Sequence, residues 1–301
     1  MLIRLLFTLV VFILFFSITQ CPAATFRDAL GREVCLKRPP LRIVSMAPSL
    51  TEILYSLGLG DKVAGVTKYS SFPAEAACKP RVGSYINLNV EKIISLNPDL
   101  AIGTADGNKP GVVRLLEQAG IPVYIVNPRN IRDVIRTIES LGELCGVQKS
   151  ADMLSSRLSG RIDHIFRRTA SLRRPLVFLQ INVKPIMTVN RNTFHHDVIR
   201  MAGGENMTQD EPLNYPRISL EEILRRGPEI IVISSMERGG RFETARREWM
   251  KWPSIPAVKK GRVYLIESDL LDRPSPRIVE GLEAMAMFIH PEPRSAGTTV
   301  K

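Results

Sequence analysis

Asn89-Val-Glu-Lys-Ile-Ile-Ser-Leu-Asn-Pro-Asp-Leu-Ala-Ile102 aligns without a gap on Ser219-Leu-Glu-Glu-Ile-Leu-Arg-Arg-Gly-Pro-Glu-Ile-Ile-Val232, further along the same 301-residue chain. Glu91 matches Glu221, Ile93 matches Ile223, Pro98 matches Pro228, and Asp99 is answered by Glu229. In each copy a polar residue opens a short helix, a proline that cannot continue the helix follows, and an acid stands before an apolar strand. Any capped helix-to-strand joint carries a polar cap and a proline. The shared register of acids and apolar positions asks for more, namely two halves built alike.

Outward from the first copy, short apolar runs alternate with amphipathic stretches. Arg42–Met46 reads as a strand and Ser49–Leu57 as a helix, with Ser49 and Glu52 as a capping box and Gly58 as the stop. Strands over Val63–Val66, Leu100–Ile102 and Pro122–Val126 alternate with helices over Val90–Leu96, Val112–Ala119 and Ile131–Cys145. Ser150–Leu172 differs: it lacks proline, and Met153, Leu154, Leu158, Ile162, Ile165 and Phe166 recur at helical spacing. Such a helix spans roughly 30 Å, enough to join two lobes as a stiff strut. A second series follows, with strands over Leu176–Ile181, Ile230–Ile233 and Val263–Ile266 and helices over Thr193–Met201, Ser219–Arg225 and Pro276–Ile289. The expected fold is α/β, two Rossmann-like lobes joined by a single long inter-lobe helix with a ligand cleft between the lobes. The expected divisions are an N-terminal lobe over 25–148, a connecting helix over 149–173, a C-terminal lobe over 174–290 and a disordered tail over 291–301.

Residues 1–24 read as a cleavable export signal: Arg4, an apolar run from Leu5 to Phe16, then a small-residue exit at Ala23-Ala24. A membrane span needs about 20 apolar residues, more than this run supplies. Lipid attachment at Cys21 is the alternative, although Gln20 stands where small residues are usual. The net charge of +11 comes from 41 basic and 30 acidic residues, and of these the leader holds only Arg4. The basic residues form scattered pairs such as Arg167-Arg168, Arg173-Arg174 and Lys259-Lys260 with no interleaved aromatics. They read as solvated surface and not as a nucleic-acid face. Cys145 falls on an apolar helical position and reads as a buried thiol, whereas Cys35 and Cys78 lie in polar, loop-flanked segments where a disulfide is allowed outside the cytosol.

Catalytic signatures are missing. Gly58-Leu-Gly60 lacks the third glycine of a dinucleotide loop, and no phosphate loop or nucleophile elbow is present. His195 and His196 read as a surface pair at a helix terminus, and with His164 and His290 elsewhere they assemble no three-histidine metal site. Aromatic residues recur in the loops instead. Tyr69 and Phe72 follow the second strand, Tyr85 precedes the helix carrying Glu91, and Tyr215 holds the corresponding place before Glu221. Tyrosines at matched places in two lobes suit a large, flat, partly apolar ligand.

The chain resembles the periplasmic cobalamin/iron-siderophore binding family of ABC importers, its cobalamin (vitamin B12)-binding members in particular. The resemblance is carried by Arg42-Ile-Val-Ser-Met-Ala-Pro-Ser-Leu-Thr-Glu52, Gly65-Val-Thr-Lys-Tyr-Ser-Ser-Phe-Pro73, Arg81-Val-Gly-Ser-Tyr85, Ala202-Gly-Gly-Glu-Asn206, Pro216-Arg-Ile-Ser-Leu-Glu-Glu222 and Asp272-Arg-Pro-Ser-Pro-Arg-Ile278. It implies two lobes bridged by a long helix with little hinge motion. It also implies a monomeric periplasmic receptor, not an enzyme, that carries cobalamin or another corrinoid as cargo, without a cofactor, a metal site or nucleic acid. The cargo would go to a permease dimer in the inner membrane. The same resemblance implies cargo contacts from Tyr69, Phe72, Tyr85 and Tyr215, a polar contact from Arg273, and docking of permease arginines on Glu91 and Glu221, one per lobe. Relatives carry a Trp-Phe pair where this chain has Leu270-Leu271, a tryptophan near Thr104, and a cysteine pair where it has Met201 and Met285. The thinner aromatic lining leaves a ferric siderophore or haem receptor as the alternative, with Arg81, Arg191, Arg217 and Arg273 as candidate anion partners. An exported α/β enzyme is the distant one.

Overall fold

The computed structural model describes residues 24–235 and 241–291; the expected leader with Arg4 and Cys21, and the tail from residue 292, lie outside the described residues. The first lobe comprises β1 (Ala24–Arg27), β2 (Glu33–Leu36), β3 (Ile43–Ser45), α1 (Pro48–Ser56), β4 (Val63–Gly65), α2 (Val90–Ser95), β5 (Leu100–Thr104), α3 (Pro110–Gln118), β6 (Val123–Val126) and α4 (Ile131–Leu144). A single long helix, α5 (Gln148–Thr169), leads to the second lobe. There follow β7 (Leu176–Gln180), α6 (Phe194–Met201), β8 (Glu205–Asn206), α7 (Leu220–Arg226), β9 (Ile230–Ser235) and α8 (Arg241–Met250). The chain closes with α9 (Pro256–Lys259), β10 (Val263–Glu267), α10 (Ser268–Leu271) and α11 (Ile278–Ile289).

Each lobe holds a parallel four-stranded sheet, ordered β4-β3-β5-β6 in the first and β8-β7-β9-β10 in the second. Counted from the first strand of its own sheet, each lobe has the order 2-1-3-4. Ile43 pairs with Leu100 in one sheet and Val177 with Ile230 in the other, and Leu100 and Ile230 are matched positions of the sequence repeat. The repeat is therefore topological.

Its polar residues do the same work twice. The Asn89 side chain accepts the Lys92 N–H at 2.8 Å and opens α2, and the Ser219 hydroxyl accepts the Glu222 N–H at 3.2 Å and opens α7. The acids anchor the strands. Asp99 accepts the N–H groups of Leu41 and Arg42, both at 2.9 Å, just ahead of β3. Glu229 accepts Leu176 N–H at 3.2 Å and takes Arg173 bidentately at 2.8 and 2.9 Å. That guanidinium, with the Leu176 N–H adding to it, holds the Glu229 carboxyl below its ordinary value.

Three expectations change. The capping box does not form: Ala47 precedes α1, Pro48 occupies its first turn, and Ser49 makes no cap bond. The antiparallel hairpin β1–β2 lies ahead of the region where the sequence pattern starts. Ala29 N–H donates to the Ile125 carbonyl at 2.9 Å and fixes it to the edge of β6. Cys35 and Cys78 are free, exposed thiols instead of a bridge, with Cys35 facing the Thr25 hydroxyl across the hairpin at 3.6 Å; Cys145 is buried.

At 22 residues, α5 extends about 33 Å. Ala151, Leu154, Leu158, Ile162 and Ile165 form its buried stripe, and one hydrophobic cluster runs through that stripe into both lobes. Separate clusters fill the other face of each sheet. A Cβ on Gly142 would stand 2.2 Å from that of Ala151, so α4 and α5 approach closely at this glycine. Arg161 ties α5 to α11 through Glu283 at 3.0 and 2.8 Å.

The lobes are also joined directly. Glu52 of α1, only 1% exposed, accepts Arg273 Nη1 at 2.8 Å and the Ser275 hydroxyl at 2.7 Å, with Arg277 Nη1 at 3.9 Å. Burial pushes the Glu52 carboxyl above its ordinary value, against the opposing pull of Ser275, Arg273 and Arg277. A second tie runs from Ile131 N–H at the start of α4 to Asp197 of α6, at 3.0 Å. Glu52→Ala removes the buried acceptor shared by Arg273 and the Ser275 hydroxyl and is expected to cost about 3 kcal/mol, read as a lower urea midpoint at unchanged slope. Ser275→Ala should cost about 1 kcal/mol. A Glu52→Ala midpoint equal to that of the parent protein rules the inter-lobe lock out.

Candidate functional site

In open parallel sheets, ligands settle outside the carboxyl ends of the strands where the strand order reverses. In this chain those positions are the loops after β3 and β5 in one lobe and after β7 in the other. Tyr85, from the loop after β4, packs on the end of β5, and Tyr215, from the segment after β8, packs on His195 beyond β7, each partly buried against the central hydrophobic cluster.

Tyr85 rests on a purpose-built ledge. Its hydroxyl is 3.1 Å from the Thr104 hydroxyl. Its ring lies so close to Gly107 that a Cβ there would sit 1.9 Å from the phenol carbon. Asn108 holds the ledge from beneath: its carbonyl oxygen accepts Thr104 N–H at 2.8 Å, and its amide donates to the carbonyls of Met46 at 3.0 Å and Tyr85 at 2.9 Å. One buried amide thus ties together the ends of β3 and β5 and the Tyr85 loop.

Tyr215 is supported by rings. It meets the His195 imidazole edge-on at 6.2 Å, and His195 stacks on Phe194 at 4.0 Å. His195 is not the surface residue its sequence position suggests. It is 2% exposed, with Nε2 3.2 Å from Asp272 Oδ1, while the Ser234 hydroxyl donates to Asp272 Oδ2 at 2.9 Å. His196, beside it, is half-buried, and that burial lowers its imidazole below the ordinary value.

Burial raises both phenols above their ordinary value, Tyr215 the further of the two. Asp106 adds to the rise at each, and Tyr85 itself adds to the rise at Tyr215. Tyr85 and Asp106 belong to one lobe and Tyr215 to the other, so the two phenols lie within electrostatic reach of each other between the lobes. Arg129 pairs with Asp106 at 3.0 Å within reach of both phenols. Beside the phenols, a cavity of about 450 Å³ is lined by Arg129 and Asn130 from the first lobe and by Arg191, Asn192, His196 and Asn214 from the second.

Other expected residues take varied positions. Tyr69 and Phe72 remain nearly half exposed. Their loop is held by Arg81, which donates to the Thr67 and Ser70 carbonyls, both at 2.8 Å. Arg277 lies over the Phe72 ring at 4.2 Å, and Phe72 also lines a groove on the first lobe with Tyr55, Gly60 and Glu75. Arg273, expected as a ligand contact, is occupied: it pairs with Glu52 and Asp269, each at 2.8 Å, and donates to the Tyr69 carbonyl at 3.1 Å. It positions the Tyr69 loop. Ile86 and Leu213, one beside each cleft tyrosine, are more than half exposed.

Glu91 and Glu221 are exposed in the first turns of α2 and α7, where an acid suits the helix dipole. Among the described residues neither carboxylate pairs with a basic side chain. Glu222, the next residue, does: Arg225 and Arg226 pull it down to about 2. Among the described residues no three histidine, cysteine or acidic side chains group to hold a metal ion, and no helix is long and apolar enough to cross a membrane. Asn108, Gly107 and the pairing of His195 with Asp272 were not singled out from the sequence.

Residues 43–270 match the family described as periplasmic binding protein. The chain is 34% identical over 281 residues to an uncharacterised ABC transporter substrate-binding lipoprotein of Bacillus subtilis, covering 91% of this chain and 88% of that one. The crystal structure of the periplasmic vitamin B12 binding protein of Vibrio cholerae is 30% identical with a TM-score of 0.76, covering 83% of this chain and 97% of that one. A periplasmic haem binding protein from Pseudomonas aeruginosa is 28% identical with a TM-score of 0.75, covering 86% and 96%.

Gly107→Ala is expected to displace the Tyr85 ring while leaving the fold intact, seen as a changed near-ultraviolet circular dichroism spectrum over an unchanged far-ultraviolet one. In an alkaline absorbance titration, Tyr85→Phe and Tyr215→Phe should each remove amplitude from the late, high-pH part of the rise more than from its early part in the ordinary phenol range, because burial raises both phenols. Loss confined to the ordinary range places the two phenols in water.

Proposed function

The chain belongs to the periplasmic binding protein family, the solute receptors of ABC importers and not enzymes, and on that premise we propose that its cargo is cobalamin or a related corrinoid. The observation that carries this reading is the pair of half-buried phenols, Tyr85 and Tyr215, brought from opposite lobes within electrostatic reach of each other. A flat macrocycle can lie against such rings over a large apolar area while its edge groups reach polar neighbours. Tyr69 and Phe72 form the side wall of the cleft in this reading, and Ile86 and Leu213 its lips. The 30% identity to a vitamin B12 binding protein over most of both chains supports the corrinoid.

Of the four arginines expected as partners of an anionic iron chelate, Arg81 is engaged by backbone carbonyls and Arg273 by carboxylates, which leaves Arg191 and Arg217 for that role. Haem is the second reading, supported by the likeness to a haem binding protein and by the same flat floor. Leu270-Leu271 supplies no aromatic wall, and Leu271 is fully buried in the core.

Delivery is the second part of the reading. Glu91 and Glu221, exposed at matched positions and without a basic partner among the described residues, are suited to set the docking register on a two-fold permease through its arginines. Residues 1–24 serve as the export signal; intact mass of the secreted protein separates cleavage near Ala24 from a lipid on Cys21.

Titration with cyanocobalamin, followed by visible spectrum and calorimetry, should give saturable binding of one cargo per chain. No signal up to about 50 µM, with saturation by haem instead, reassigns the cargo. Glu91→Lys with Glu221→Lys should abolish cellular uptake and leave cargo affinity unchanged, and lost affinity would put the two glutamates in the cleft.

A further inference from the structure

The cavity beside the two cleft tyrosines has a polarity that a flat apolar floor does not explain. Arg129 enters it from the loop between β6 and α4, and Arg191 from the segment between β7 and α6. Their guanidiniums come from opposite lobes. Asp197 supplies a carboxylate to the lining, and it is already engaged by Ile131 N–H at 3.0 Å and by Arg200 at 2.8 Å. Of the other polar liners, the amides of Asn130, Asn192 and Asn214 and the His196 imidazole can donate, while the Thr193 hydroxyl is spent on the Asn190 carbonyl at 2.8 Å. Asn206 Nδ2 lies 3.5 Å from His196 Nδ1, an arrangement that fits a neutral ring with its N–H at Nε2.

The present partners of the two arginines are replaceable. Arg129 holds Asp106 at 3.0 Å with 37% of its side chain exposed, and Arg191 holds Asp210, itself 75% exposed, while the Arg191 Nε–H donates to the Gln209 carbonyl at 3.1 Å and leaves the terminal nitrogens to exchange. Pairs this open contribute little and are readily exchanged for a better acceptor. A volume of about 450 Å³ admits an appendage of a large cargo and not the macrocycle itself. The cavity lies near the aromatic floor: Asn214, which lines it, precedes Tyr215 in sequence, and Arg129 lies within electrostatic reach of both phenols.

We propose that this cavity is the subsite for an anionic appendage of the cargo, a phosphodiester or a carboxylate, clamped between Arg129 of one lobe and Arg191 of the other. The assignment rests on the reading of the cleft as the seat of a flat macrocyclic cargo. Planar guanidinium forks suit either oxyanion bidentately. A corrinoid with its nucleotide loop offers the phosphodiester, haem offers carboxylates, and a corrinoid stripped of the loop offers neither.

Calorimetry on the parent protein, Arg129→Gln, Arg191→Gln and the double variant separates these cases, using cyanocobalamin, dicyanocobinamide and haem as probes. Urea midpoints on the same samples establish that the fold is intact. The parent should bind cyanocobalamin about tenfold tighter than dicyanocobinamide. The double variant should erase that margin without weakening dicyanocobinamide. If the parent binds haem alone and the variants weaken it, the corrinoid reading falls while the anion subsite stands with a carboxylate occupant. Equal affinities for every probe across all four proteins overturn the subsite and leave the cargo reading untouched. Equal weakening of cyanocobalamin and dicyanocobinamide also overturns it, because the arginines would then act on the macrocycle or on the shape of the cleft.

Discussion

A carboxylate withdrawn from water determines how the two lobes face each other. Glu52 lies in the first lobe, and its partners Arg273, Ser275 and Arg277 belong to the segment between α10 and α11 of the second. Taking a charge out of solvent is costly, and the cost is offset only when both oxygens find donors in good geometry. Here they do, so the arrangement is tolerated in one relative placement of the lobes and penalised in others. The seam reaches further. Arg273 also holds the Tyr69 carbonyl, and Arg277 lies over the Phe72 ring. The Tyr69–Phe72 loop is thereby set by the same contacts that join the lobes.

The two halves share topology and differ in how each supports its tyrosine. In the first lobe the support is polar and close: Thr104 meets the hydroxyl, Gly107 admits the ring, and Asn108 ties the loop to two strand ends. In the second it is aromatic, with Phe194 stacked on His195 and Asp272 fixing the imidazole. Duplication supplied equivalent positions, and each lobe filled the space beneath its phenol differently. The same asymmetry extends to charge. Arg129 and Arg191 occupy unrelated points of the two lobes and still line one cavity.

Local rules made much of this legible. Asn89, Ser219, Pro98 and Pro228 mark helix starts and stops because capping and the missing proline N–H act over a few residues. The stripe on α5 was readable because burial repeats with helical period. Glu52 shows where local rules mislead. Three positions after Ser49, it has the spacing of a capping box, yet its partners lie more than two hundred residues away. His195 was misplaced for a related reason: adjacent histidines point in different directions from a helix, and only the packing of Asp272 and Tyr215 decides which one faces inward. Arg273, expected as a polar contact for the cargo, is held instead by acceptors from both lobes, which no spacing along the chain announces.

By itself the sequence determined the alternation of strands and helices, the two-fold repeat with its matched acids, the long connecting helix and the membership of a receptor family. Each depends on spacing along the chain, where turn geometry and burial period leave a direct trace. Only the tertiary structure decided which charges are held and which are available. It paired Glu52 with Arg273, joined Asp99 and Glu229 to the starts of their sheets, brought Arg129 and Arg191 to one cavity, and left Glu91 and Glu221 at the surface without a basic partner among the described residues. Pairing of charges depends on distance in space and on removal from water, and neither is encoded in the order of residues until the lobes have packed.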